Sequence, residues 1–177
     1  MAEVSTGAAG VTIIREDCGP FWQVSAWPGT LGSVAARLRE ITGTDAPGPG
    51  GIVATDCGQV ARIGPLVWWI IGANDDAARA LADIAPEEGS ALDLTDNRIR
   101  FAVSGPYARD MMMRLAPLDF RDRGFAPGHI AATAAHHMSV QIARREDAWD
   151  VYVTATFADA FAEVLEETAA QWNESAA

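Results

Sequence analysis

Gly51-Ile52-Val53-Ala54-Thr55 is answered further along the chain by His129-Ile130-Ala131-Ala132-Thr133, at an offset of 78 residues. Each stretch leaves a loop rich in proline and glycine, the first holding Pro47 and Pro49 and the second Pro117, Gly124, Pro127 and Gly128. Val24-Ser25 is answered by Val103-Ser104 at 79 residues, and Trp68 by Trp149 at 81. Three separate echoes at nearly one spacing predict a duplicated structural unit.

The order of elements around these echoes agrees. Phe21 to Trp27 reads as a strand with Trp22, Val24 and Ala26 on one face. Leu31, Val34, Leu38 and Ile41 fall at helical spacing. Short strands follow at Ile52 to Asp56, Gln59 to Ile63 and Leu66 to Gly72, then a helix capped by Asp75 or Asp76 and running to Ile84. In the second half Ile99, Phe101 and Val103 alternate as a half-buried strand. Ser104 or Gly105 is placed to cap a helix with Pro106 at its first position and Met111, Met112 and Leu115 inward. Strands at Ile130 to Ala135, Met138 to Arg144 and Trp149 to Thr154 lead to a closing helix capped by Thr156, with Phe157, Phe161, Val164, Leu165 and Trp172 as its apolar stripe.

The expected fold is α+β: a duplicated β-α-β-β-β-α unit forming two mixed or antiparallel sheets with packed helices. One such unit covers only one sheet face, so pairing two buries more apolar surface. Residues 1–19 form an N-terminal arm able to hold a short strand, 20–90 the first half and 91–177 the second, both within one compact domain. A hairpin from Leu92 and Leu94 through Asp96-Asn97 to Arg98 is expected to link the halves.

At 177 residues, 49% of them hydrophobic, the chain can fold without disulfide staples. A formal charge of −11 argues against nucleic acid and against an anionic membrane surface, and is compatible with a protein partner bearing a basic patch. Cys18 and Cys57 lie outside any C-x-x-C spacing and read as reduced thiols. No apolar run reaches the roughly 20 residues of a spanning helix. Met1 to Gly10 carry no basic segment, so the expected location is the cytoplasm.

Candidate chemistry is sparse. His136 and His137, read as neighbours on a strand, point to opposite faces and cannot share a metal; one is expected inward and hydrogen-bonded, the other outward. Gly48-Pro49-Gly50-Gly51 lacks the G-x-G-x-x-G spacing of a dinucleotide loop. Trp68-Trp69 puts one indole on each sheet face. Asp93 and Asp119 are the carboxylates to consider for acid–base work, Asp93 reading as solvent-facing and Asp119 as a loop brace. No catalytic, cofactor-binding or metal-binding residue is assigned.

Leu92-Asp93-Leu94-Thr95 followed by Arg98 to Pro106, with Ser104-Gly105-Pro106 at its end, resembles the central signature of the sarcosine oxidase gamma-subunit family. The likeness continues through Ala108-Arg109-Asp110-Met111, Pro117-Leu118-Asp119-Phe120 and Pro127-Gly128. Upstream it includes Gly64-Pro65 and Trp68-Trp69-Ile70-Ile71, and downstream Thr133, His137 and Trp149 to Val153. The sequence departs from the pattern at Leu66-Val67, at Arg114-Leu115-Ala116 and at Ala132. The family is akin to the folate-binding fold of aminomethyltransferases.

That resemblance implies a non-catalytic subunit of a heterotetrameric complex that demethylates sarcosine, or a related N-methyl amine, and passes the one-carbon unit to tetrahydrofolate. It implies alpha, beta and delta partners, with contact mainly to alpha. FAD, FMN, NAD, zinc and tetrahydrofolate would lie in those subunits and none in this chain. The alternatives are a free-standing folate-dependent protein of the aminomethyltransferase type and a non-enzymatic small-ligand regulatory module.

Overall fold

The alternating and helical patterns become ten strands and four helices in a computed structural model, which describes residues 10–174. The chain runs β1 (Thr12–Asp17), β2 (Phe21–Ala26), α1 (Leu31–Thr42), β3 (Ile52–Thr55), β4 (Gly58–Gly64), β5 (Val67–Ile71) and α2 (Asp75–Ala82). It continues with β6 (Gly89–Asp93), β7 (Arg98–Ser104), α3 (Ala108–Leu115), β8 (Ile130–Ala135), β9 (Met138–Arg144), β10 (Ala148–Thr154) and α4 (Ala158–Glu174).

Two five-stranded sheets result, ordered β3-β4-β5-β2-β6 and β8-β9-β10-β7-β1. Every strand pairing is antiparallel. The two orders superpose position by position, so the duplication is one of topology. It reaches the hydrogen bonds. The Gly50 and Gly128 N–H groups donate to the Arg62 and Arg144 carbonyls at 2.9 and 3.0 Å; the Arg62 and Arg144 N–H groups donate back to Gly51 and His129 at 2.9 and 2.8 Å.

The fifth strand of each sheet is exchanged between the repeats. Taken as consecutive repeats, β1 leads the first and β6 the second. Yet β1 pairs with β7 over Thr12↔Ser104 to Asp17↔Ile99, and β6 pairs with β2 over Trp22↔Asp93 to Ala26↔Gly89. Accordingly the compact units are residues 18–97, and residues 10–17 together with 98–174. Leu94 to Asn97, closed by the Asn97 N–H on the Leu94 carbonyl at 2.8 Å, is a crossover from one sheet to the other. The expected linking hairpin is absent because β6 and β7 belong to different sheets.

Each unit has its own apolar core beneath its helices. In residues 18–97, Val24, Val34, Leu38, Val60, Trp68, Ile70 and Leu81 pack together. In the other unit Ile13, Phe101, Val103, Met111, Met112, Leu115, Val151, Phe161 and Leu165 do so. Phe101 meets Phe161 edge-on at 5.5 Å. Trp68 lies in the helix-covered core, while Trp69, on the other face of its strand, meets the Phe21 ring at 5.0 Å and donates to Gln23 Oε1.

Several element ends differ from the expectation. Asn74, rather than Asp75 or Asp76, caps α2, its Oδ1 accepting from the Ala77 N–H at 2.9 Å; both aspartates sit in the first turn. Before α4 the chain makes a 3₁₀ turn, Ala155–Phe157, so Thr156 is no cap and Phe157 is exposed. α3 begins at Ala108, which leaves Pro106 in the turn ahead of it. His136 and His137 are not strand residues. They form the two-residue turn between β8 and β9 with φ of 45° and 68°, and both are exposed. Positive φ at both central residues is what a tight hairpin requires, and it replaces the inward and outward pair with two solvent-facing imidazoles.

Candidate functional site

The Ser104-Gly105-Pro106 junction is where the second repeat offers a groove. β7 ends at Ser104, and Gly105 adopts φ of 114°. A Cβ there would stand 2.7 Å from the Gly10 carbonyl oxygen, so only glycine fits. The same carbonyl accepts from the Tyr107 N–H at 3.2 Å, and the Ala108 N–H closes onto the Gly105 carbonyl at 3.1 Å. This turn launches α3 away from the sheet. Beside it lies an open groove of about 640 Å³ lined by Gly105, Pro106, Arg109, Asp110, Arg144 and Trp149, with Glu146 and Asp147 of the β9–β10 turn.

Arg144 dominates the groove. It is 6% exposed and extends from the end of β9. Its guanidinium donates to the Phe120 and Phe125 carbonyls at 3.3 and 3.4 Å, to the Arg145 carbonyl at 3.2 Å and to Asp122 Oδ1 at 3.0 Å. Asp122 also receives Arg109 at 3.0 Å, so one carboxylate bridges both arginines. Phe120 and Phe125 fold inward from the same loop and meet edge-on. The loop between α3 and β8 is thus pinned from beneath by a buried cation that satisfies its carbonyls.

Asp119 braces that loop from outside. Its carboxylate forms a two-oxygen pair with the Arg121 guanidinium at 2.6 and 2.8 Å and accepts the Arg121 N–H at 3.2 Å. The Arg121 hydrogen bonds hold its pKa down at about 2. Asp93 is exposed and accepts the Thr95 N–H at 2.9 Å; its bonds to Thr95 lower its pKa. Neither faces a partner for proton transfer. Asp150 on β10 is the buried carboxylate: burial pushes its pKa up against the pull of Arg100 and Arg145, with Arg145 Nη2 at 2.9 Å. Among the described residues no nucleophile and base are paired in the groove's lining.

The family-motif residues fall in three places. Ser104, Gly105 and Pro106 form the groove junction, and Pro117, Leu118 and Asp119 open the loop that Arg144 anchors. Gly64 ends β4 and Pro65 opens the turn to β5, where the register shifts after Arg62 and the Pro65 carbonyl accepts the Arg62 guanidinium. Thr133 lies on β8 and His137 in the turn after it. Arg62, Asp122 and Arg144 lie outside the sequence motifs. The available signal was an arginine six residues before Trp68 and another five before Trp149.

Neither cysteine is in a disulfide, and the Cys57 thiol donates to the Ile41 carbonyl at 3.4 Å. Among the described residues no group of three His, Cys, Asp or Glu side chains could hold a metal ion, and no helix is long and apolar enough to cross a membrane.

No protein-family model matches the sequence. Among curated proteins, the sarcosine oxidase gamma subunit of an Arthrobacter species is 30% identical over 165 residues, covering 90% of this chain and 79% of that one. The gamma subunit from Corynebacterium sp. strain P-1 is 30% identical over 141 residues, covering 77% and 68%. The chain belongs to the sarcosine oxidase gamma-subunit family. Among solved structures, the heterotetrameric sarcosine oxidase of Corynebacterium sp. U-96, in complex with pyrrole 2-carboxylate, has a chain that superposes with a TM-score of 0.83 at 24% identity, covering 96% of this chain and 88% of that one. Aminomethyltransferase T of the glycine cleavage system from Bartonella henselae superposes with a TM-score of 0.65 at 16% identity, over 90% of this chain and 46% of that protein. The chain therefore has the α+β fold expected from the duplication, and its likeness to aminomethyltransferase T is the one the family resemblance implied.

Proposed function

We propose that the chain is a non-catalytic gamma subunit of a cytoplasmic, heterotetrameric sarcosine oxidase-type complex. In this reading the complex demethylates sarcosine or a related N-methyl amine to glycine or its analogue and transfers the one-carbon unit to tetrahydrofolate. FAD, FMN, NAD, zinc and tetrahydrofolate belong to the alpha, beta and delta subunits, and gamma serves assembly by packing on alpha.

Family membership supports the setting. The observation that carries the non-catalytic reading is how the groove spends its charges. Arg144 is held by three carbonyls and Asp122, Arg109 by the same Asp122, and the nearest motif carboxylate, Asp119, by Arg121. Catalysis by general acid and base needs paired groups free to exchange protons at substrate; here both groove arginines are committed to holding a loop, and Asp110, Glu146 and Asp147 line an open groove as carboxylates alone. The test is to purify the chain alone and record flavin absorbance and sarcosine-dependent peroxide formation. Neither signal is expected; a stoichiometric flavin, or turnover without other subunits, would refute the proposal.

A further inference from the structure

Four strands border the two sheets, and three of them are guarded in ways that discourage pairing. β1 carries Arg15, Glu16 and Asp17, β3 is only four residues long, and β6 closes on Asp93 after five. Charges and shortness are the usual protections of a sheet edge. β8 has neither. It runs six residues, Ile130-Ala131-Ala132-Thr133-Ala134-Ala135, with no charge, no proline and no register shift against β9.

Its backbone geometry is readable from the turn. A two-residue hairpin closes on a pair that exchanges both hydrogen bonds, here Ala135 and Met138. Alternation then commits Thr133 and Ala131 to β9, as the Arg144 N–H bond to the His129 carbonyl also requires, and turns the N–H and C=O groups of Ala132 and Ala134 outward. Ala132 and Ala134 are exposed, and their methyls leave room for a neighbour.

We infer that β8 is an interaction edge, onto which an extended, net basic segment of a partner subunit adds as a sixth strand. This rests on the proposed assembly role. The occupant is a partner rather than a second copy because each copy carries a net charge of −11, which opposes self-pairing and attracts a basic chain. Backbone hydrogen bonds would supply affinity, and the small alternate side chains would accept larger ones from the added strand.

The decisive variant is Ala132→Pro in the co-expressed complex. Proline removes an N–H that points away from β9, which an edge strand tolerates, so the isolated chain should keep its melting temperature. Recovery of complex should fall by about tenfold or more. Ala132→Thr, uncharged and suited to a strand, should assemble normally. In the wild-type complex, hydrogen exchange at the Ala132 and Ala134 amides should slow by about tenfold or more relative to the free chain. Full assembly of Ala132→Pro, unchanged exchange at these amides, or a dimer of the free chain that Ala132→Pro abolishes while assembly persists would each overturn the inference. Failure of the wild-type chain to assemble at all would instead count against the proposed function.

Discussion

The Arg144 guanidinium lies over the indole of Trp149, its central carbon 4.8 Å from the ring centroid. The two are directly opposed across β9 and β10. Arg62 and Trp68 repeat the relationship across β4 and β5 at 5.0 Å. A cation over an indole face is stabilising, most so where water is excluded. The equivalent pairs differ in what the arginine does next. Arg62 reaches the Pro65 carbonyl in its own turn, whereas Arg144 is buried and ties down a loop 19 to 24 residues upstream.

Arg144→Ala should therefore cost about 3 kcal/mol, since it strands buried carbonyls of Phe120 and Phe125 and removes the stacked cation. Arg62→Ala should cost about 1 kcal/mol. Urea unfolding of the two variants of the isolated chain measures both. Equal losses would mean that the loop does not depend on Arg144.

Much of this was readable beforehand, and what was missed has identifiable reasons. Gly51 to Thr55 and His129 to Thr133 disclosed the duplication because identical local geometry keeps similar residues. The exchange of β1 and β6 was hidden because Ile13 and Val103 meet over a separation that no local pattern reports. His136-His137 carries none of the Asn-Gly chemistry that marks a tight turn, so two residues at positive φ looked like strand. Trp149 stands out in the sequence and Arg144 does not, because a pairing across strands appears only once the register is known.

The turn itself can be tested. His137 holds φ of 68° against a side-chain penalty that glycine lacks. His137→Gly should raise stability by about 0.5–1 kcal/mol, partly offset by the greater entropy of the unfolded chain. Thermal melts check this, and melts with and without a chelator test the expectation that no structural metal is held. The wild-type midpoint should not move on chelation.

Acid should expose the Asp119 brace. Its folded pKa of about 2 lies below the 3.8 of an ordinary aspartate, so its stabilisation is fully present above pH 3.8 and is lost as pH falls through 2. The melting temperature of Asp119→Asn should lie below that of the wild type at pH 6, and most of the gap should be gone by pH 2. Because the pair is solvent-accessible, high salt should also narrow the gap at pH 6. A gap constant across pH would assign the effect to packing rather than charge.

Gly105→Val tests the central claim, that this chain acts through assembly and not chemistry. The side chain meets the Gly10 carbonyl at 2.7 Å from a backbone already at φ of 114°, for a penalty of about 3 kcal/mol or more. Glu163→Ala, on the exposed face of α4, serves as the control. The measurement is complex yield beside sarcosine turnover per bound flavin for complexes assembled with each variant. Gly105→Val should give a sharply lower yield with turnover per flavin unchanged, and Glu163→Ala should change neither. Full assembly of Gly105→Val with turnover lost would instead place this chain in the chemistry.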